Sequence, residues 1–297
     1  MKRVLITGAG GFLGGAIHRR LAGRDDIDVI AAARTDLRDR AAAEAALSQA
    51  GPDVVVHAAG RTYGSAEAFY TDNVAATEIL AGAIAASAPG CGLILLGSAA
   101  QYGRSADRTP WRESGPCEPL DDYGTSKLVA EAAAFAEATR SGIRVTALRV
   151  FNVIAPAPSG EQAFSSFLRK VAGAMAGPPP WRVEMGSLAA IRDFVAVEDV
   201  LEAVERVIDR DVWDGPINIC SGVGRPVRAV LEAVSRGLPA AGIEIEEHGP
   251  PPTLDWSVGD PSWCKARLGF RPSSDLTGLV EQAGAWVRQA AKASADA

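Results

Sequence analysis

Val4-Leu5-Ile6-Thr7-Gly8-Ala9-Gly10-Gly11-Phe12-Leu13-Gly14 is the stretch that decides the fold. A short apolar run passes directly into glycines spaced Gly8-x-x-Gly11-x-x-Gly14, and a helix-length segment follows at once. Glycine lets a chain turn tightly and approach an anion closely, and a helix amino end adds unpaired N–H groups with a partial positive charge. Glycines alone decide little. With a strand before them and a helix after them, they predict a pyrophosphate cradle in which Phe12 and Leu13 ride on the same turn.

Outward from that turn the pattern repeats. Val4 to Thr7, Val29 to Ala33, Val54 to His57, Leu93 to Leu96 and Val145 to Val150 read as strands. Phe12 to Ala22, Ala41 to Gln49, Asn73 to Ala86 and Asp122 to Thr139 are Ala-rich and of helical length. Apolar strands joined by helical crossovers predict a parallel sheet covered on both faces, a doubly wound α/β fold with ligands outside the carboxyl ends of the strands. After Asn152 the rhythm changes: Pro156, Pro158 and Pro178-Pro179-Pro180 interrupt it, and the elements shorten into a smaller second lobe. Asp199 reads as the N-cap of a helix running to about Asp209.

Composition narrows the function classes. The 297 residues are 47% hydrophobic and 22% charged, with a net charge of −6. No basic run suggests a nucleic-acid surface, and no apolar stretch approaches the ~20 residues of a membrane span. Cys91, Cys117, Cys220 and Cys264 stand far from one another and from His18, His57 and His248, so no metal ligand set is expected. Scattered cysteines and an amino-terminal strand in place of a signal peptide read as a cytoplasmic protein.

Two further stretches carry chemistry. The second strand leads into Ala33-Arg34, where an NAD-selective site usually places a carboxylate for the ribose 2′-OH. Alanine followed by a guanidinium suits a 2′-phosphate instead, so NADP(H) is expected over NAD(H). In Tyr123-Gly124-Thr125-Ser126-Lys127, tyrosine and lysine share one helix face. An adjacent ammonium, with a helix amino end capped by Asp121 or Asp122, is expected to lower the phenol pKa and make Tyr123 a general acid/base. Ser98 follows the fourth strand at the sheet's carboxyl edge, where its hydroxyl can hold a substrate oxygen.

The chain resembles the extended short-chain dehydrogenases/reductases, the NAD-dependent epimerase/dehydratase family. The resemblance lies in Gly8-x-x-Gly11-x-x-Gly14, Asp36-Leu37, His57-Ala58-Ala59, Asn73, Ser98-Ala99-Ala100-Gln101-Tyr102-Gly103, Tyr123-x-x-x-Lys127, Arg149-Val150-Phe151-Asn152 and Arg192-Asp193-Phe194. It implies a Rossmann-type doubly wound parallel sheet with a smaller α/β substrate-binding lobe. Residues 1–151 with about 191–215 would form the dinucleotide domain, and about 152–190 with 216–297 the lobe. Ser98, Tyr123 and Lys127 are implied as the catalytic triad, with Lys127 also bonding the nicotinamide ribose. Asp36 and Leu37 are implied beside the adenine, Ala58 and Ala59 along the dinucleotide channel, Asn73 near the nicotinamide, and Asn152 and Arg192 against the substrate. His57 and Asp193 are read as structural. A homodimer through the helix bearing Tyr123 is implied too, with Ala130, Ala132, Ala133 and Ala134 as its exposed small face.

Within that family, acidic side chains often follow the catalytic serine of dehydratases and decarboxylases. Ala99 and Ala100 stand there instead, which leaves simple hydride exchange: a ketoreductase or an epimerase. The short link from the second strand to Asp36-Leu37, and the segment Met185 to Phe194, are similar to nucleotide-sugar 4-ketoreductases such as GDP-4-keto-6-deoxymannose reductases. Pro250-Pro251-Pro252-Thr253 stands where relatives usually place a second, diphosphate-clamping arginine. A ketone without a nucleotide therefore stays open, with Arg182, Arg225 or Arg228 as compensating cations and Trp181 and Trp256 as pocket walls. A dinucleotide-sensing regulator without turnover is the least favoured reading, because Ser98, Tyr123 and Lys127 are all retained.

Overall fold

In the computed structural model, which describes residues 1–32, 35–157, 163–238 and 242–295, each expected strand of the first half takes its place in one sheet. The strands β1 (Lys2–Thr7), β2 (Ile27–Ala31), β3 (Val54–His57), β4 (Gly92–Ser98), β5 (Arg144–Val150) and β9 (Asp214–Ile219) lie in the order β2-β1-β3-β4-β5-β9. All the pairings are parallel. The chain order reverses direction between β1 and β3, which opens a crevice above their carboxyl ends. The second strand ends at Ala31, and Ala33 and Arg34 lie outside the described residues.

Strand alternation divides the core into two layers. Val4, Ile6, Ile94 and Leu96 face α1 (Phe12–Leu21) and α7 (Val197–Arg210), through Ile17, Leu21, Val200 and Val204. Leu5, Val55, Leu93 and Leu95 face the opposite way, toward α2 (Arg40–Ala50), α4 (Ala76–Ser87) and α5 (Asp122–Ser141). Ala130 and Ala134, expected on an outward dimer face, are fully buried. On a helix lying against a sheet, positions four apart share the inner face, and Val129 and Ala132 are among the outward, exposed positions.

The short helix α3 (Ala66–Phe69) runs through a π-helical turn, Tyr70–Ala75, into α4. That extra turn begins before the helix expected from Asn73.

The second lobe grows out of β5. Immediately past Phe151 the chain enters β6 (Asn152–Ile154), which pairs with β8 (Ile191–Ala196). Between those two strands come α6 (Ala163–Met175) and β7 (Trp181–Met185). Strand β8 also pairs with β10 (Gly224–Pro226) and β12 (Trp256–Ser257). A third small sheet joins β7 to β11 (Ile243–Glu247). Phe164, Phe167 and Leu168 of α6 pack with Val230, Leu231 and Val234 of α8 (Val227–Arg236) and with Ala283 and Val287 of α9 (Thr277–Ala295).

The expected boundaries at 191 and 216 do not follow the sheets: β8 belongs to the lobe, while β9 completes the large sheet. Asp199 is not the cap of α7. Strand β8 feeds the helix directly at Val197, and the Asp199 carboxylate reaches back to accept from the N–H of Ala196, 3.3 Å away. Among the described residues no helix is long and apolar enough to cross a membrane.

Candidate active site

At the glycine turn, Gly8 has φ +71° and lies so close to β3 that a Cβ would come within 2.5 Å of the Ala59 nitrogen. A Cβ on Gly14 would sit 2.1 Å from the Gly8 carbonyl oxygen. Only hydrogen fits at either position, and the turn closes through the Gly11 N–H donating to the Gly8 oxygen (2.9 Å). No side chain caps α1. Its first N–H groups therefore suit a pyrophosphate rather than a side chain of the protein.

The floor beside the turn is braced by His57. The Thr77 hydroxyl donates to the Asn73 carbonyl (2.6 Å), so it accepts from His57 Nε2–H (3.2 Å). His57 Nδ1 then accepts from the Thr7 hydroxyl (2.7 Å), whose oxygen receives the Ala59 N–H (3.4 Å). Burial, helped by the Lys127 charge, pushes the imidazole down to about 3, and it stays neutral. His57 holds strand ends together, as expected.

Asn73, expected near the nicotinamide, is bonded at both ends within the protein. Its Nδ2 donates to the Arg61 carbonyl (3.0 Å) and to Ser126 Oγ (2.9 Å), and its Oδ1 accepts the Arg61 N–H (2.7 Å). Buried and bonded at both ends, this carboxamide is a strut between the loop after β3 and α5.

Ser98 and Tyr123 meet through two local devices. Asp121, rather than Asp122, is the N-cap of α5, accepting the Gly124 N–H at 2.7 Å. Gly124 then lets the helix start lie directly on the turn after β4, since a Cβ there would meet the Ala100 oxygen at 2.5 Å. The Phe69 ring packs at 5.9 Å from the Tyr123 ring. Ser98 Oγ accepts the Ala100 N–H (3.2 Å), which leaves its own proton free for the cleft that Tyr123 also lines.

The electrostatics differ from the expectation. Burial pushes the Tyr123 phenol up, the Ser98 hydroxyl pulls it down, and Asp121 and Tyr63 add to the rise. Lys127 does share the helix face, yet burial lowers its own pKa to about 8, with Glu131 opposing. Desolvation outweighs the expected help from the ammonium, and the phenol stays a proton donor at neutral pH.

Two cavities meet above this floor. One, of about 850 Å³, is lined by Asp36, Leu37, Arg38, Ala59, Arg61 and Tyr63. The other, of about 500 Å³, holds Ser98, Tyr123, Leu13, Asn152 and Arg192 among its walls. Thr62 and Tyr63 line both, so they form one trench across the sheet's carboxyl edge. The donor set fits a dinucleotide: an uncapped helix amino end, a polar cavity beside β2 and β3, and a phenol–hydroxyl pair beyond.

Residues 4–220 match the NAD dependent epimerase/dehydratase family. The chain belongs to that family. It is thus an NAD(P)-dependent enzyme of the extended short-chain dehydrogenase/reductase type. It is 29% identical over 299 residues to the dTDP-6-deoxy-L-talose 4-dehydrogenase (NAD(P)(+)) of Kitasatospora kifunensis, covering 94% of each chain. Identity to GDP-6-deoxy-D-mannose reductase of Pseudomonas aeruginosa is 31% over 191 residues, 62% of each chain. The structure of RMD from Pseudomonas aeruginosa complexed with NADPH shares the fold, with TM-score 0.86 and 24% identity over 97% of this chain and 99% of that one.

In this member of the epimerase/dehydratase family the second lobe supplies part of the cleft wall beyond Ser98 and Tyr123. Asn152 donates from Nδ2 to the Asp193 carbonyl (3.0 Å) and lines the cleft. Arg192 also lines it, with its guanidinium donating to the carbonyls of Ile191 (3.0 Å) and Leu254 (2.6 Å). Burial lowers its pKa. The Asp193 carboxylate accepts from Ser221 Oγ (2.6 Å) and from the N–H groups of Ser221, Gly222 and Gly259, which ties two loops together.

The other arginines face elsewhere. Arg182 pairs with Glu244 and Glu246, and Arg228 with Glu247, while Arg225 donates to the Ser274 carbonyl. Trp181 and Trp256 are absent from the cleft wall, whose apolar part includes Phe151, Phe164, Phe194, Val227, Leu231 and Leu254. Sequence reading missed these residues because they belong to five separate segments.

Proposed function

We propose that the protein is an NADPH-dependent ketoreductase acting on the 4-keto group of a nucleotide-activated deoxysugar. The observation that carries this reading is the chemistry of the cleft wall. Among its described residues there is no aspartate, glutamate, histidine or cysteine, and Tyr123 is the phenol that shares the wall with Ser98 and is perturbed by its hydroxyl. Dehydration or decarboxylation calls for further acid/base groups, and beside Ser98 stand Ala99 and Ala100. One proton donor beside one carbonyl site suffices for reduction. The relatives named as a 6-deoxytalose 4-dehydrogenase and a 6-deoxymannose reductase support the substrate class.

Bound in the trench, the reduced nicotinamide supplies the hydride. Ser98 holds the carbonyl oxygen. Tyr123, kept neutral by burial, donates its proton to that oxygen as charge develops there. Lys127, cationic below its pKa of about 8, stabilises the tyrosinate left behind. With a nucleoside-diphospho-4-keto-6-deoxyhexose, NADPH loss is expected to match product one for one. Sugar conversion without net NADPH loss makes the enzyme an epimerase instead.

The NADP(H) preference rests on Ala33-Arg34 and on a relative described as complexed with NADPH. Arg34→Ala is expected to reduce the NADPH-over-NADH preference in kcat/KM by about tenfold or more, the worth of a charge-assisted bond. An unchanged ratio overturns it.

One observation favours a second reading. Arg192 is the only Lys or Arg on the described cleft wall, and its guanidinium already donates to two carbonyls. A ketone without a diphosphate suits such a wall. Lower KM for ketones lacking a nucleotide supports that alternative.

A further inference from the structure

Gln101 lies beneath the site and is fully buried. Its Oε1 accepts the Ser98 N–H at 2.9 Å, and its Nε2 donates to Glu131 Oε2 at 3.0 Å. The carboxamide orientation is forced, because a backbone N–H only donates and a carboxylate only accepts. Glu131 sits on α5, one turn past Lys127 and two past Tyr123. It is gripped in turn by Arg149, with Nη2 at 2.5 Å and Nε at 3.1 Å.

The end of β4 is thereby tied to the helix that carries Tyr123 and Lys127. Ser98 is fixed twice: its N–H by Gln101, and its Oγ by the Ala100 N–H. With both set, the hydroxyl is held on the cleft wall it shares with Tyr123, its proton free for an oxygen bound between them. A side chain of this length that accepts at one end and donates at the other, without charge, has to be glutamine. Glutamate would oppose Glu131, and methionine would leave the Ser98 N–H unpaired.

We propose that Gln101 is a positioning residue that aims the Ser98 hydroxyl, by clamping the Ser98 backbone to the buried Glu131–Arg149 pair. The proposal rests on reading Ser98 as the hydroxyl that holds the carbonyl oxygen, so the test separates the two. Gln101→Met keeps the length and volume of the side chain and leaves the Arg149–Glu131 pair intact. It is expected to lower kcat by about 10- to 100-fold, the cost of a misplaced reacting group. KM and NADPH affinity stay near wild type, which also certifies that the variant folds.

The deciding measurement is a double-mutant cycle with Ser98→Ala. Once the Ser98 hydroxyl is gone, Gln101→Met is expected to cause little further loss of kcat. An equal loss in both backgrounds overturns the proposal, because the effect then bypasses Ser98. So does wild-type kcat in Gln101→Met when Ser98→Ala alone is impaired. Should Ser98→Ala itself turn over normally, the reading of Ser98 fails first, and the positioning role falls with it.

Discussion

Tyr123→Phe is expected to lower kcat by about 10²–10⁴-fold, the usual worth of a positioned general acid, while the dinucleotide still binds. Phenylalanine keeps the ring that packs 5.9 Å from Phe69, so the scaffold around it stays the same. What disappears is the proton that burial holds on the phenol oxygen next to Ser98. Steady-state NADPH consumption measures the loss, and a fluorescence titration with NADPH checks that binding survives. Wild-type turnover in this variant removes Tyr123 from the chemistry.

The same assay run against pH reports on Lys127. Burial sets its pKa at about 8, with Glu131 pulling it upward, so the ammonium is present below that pH and lost above it. For the wild type, kcat is therefore expected to decline as pH rises through about 8.

Arg149→Met is expected to destabilise the fold by about 3–5 kcal/mol, the cost of leaving one buried charge without its partner. The Arg149 and Glu131 side chains are 6% and 5% exposed and meet at 2.5 Å. Burial works against the guanidinium charge, but the bonds to Glu131 and the contact with Tyr102 outweigh it and hold the arginine cationic. Arg149 Nη1 also donates to the Tyr102 hydroxyl (2.9 Å), which in turn donates to Asn218 Oδ1 (2.6 Å). Removing the arginine strands a carboxylate under the Ser98 turn.

Pairing the change with Glu131→Leu is expected to recover most of the loss, because two well-packed apolar chains do not carry the desolvation penalty. Denaturant midpoints of both single variants and the double variant decide it. Single variants close to wild type show that the pair carries no weight.

Much of the cofactor half was legible because its signals are local. Gly8, Gly11 and Gly14 act within one turn, and Tyr123 and Lys127 share a face through helix geometry alone. Ser98 was placed by the strand before it. Asn73 went the other way: it matched a motif, yet its bonding is settled by Arg61 and Ser126, which come from different elements. Gln101 and Glu131 had a faint signal, since each is a polar residue in an otherwise apolar or alanine-rich run. That signal says buried and paired, but not with whom.

The sequence by itself determined the parallel sheet, the glycine turn and the shared helix face of Tyr123 and Lys127, since strand period, glycine sterics and helix spacing operate over a few residues. Tertiary structure alone decided that the phenol is held neutral, that the cleft wall carries no carboxylate among its described residues, and that Arg192 faces two carbonyls. Those properties depend on desolvation and on which distant segments come together, such as Leu254 against Arg192, and chain neighbours do not report either.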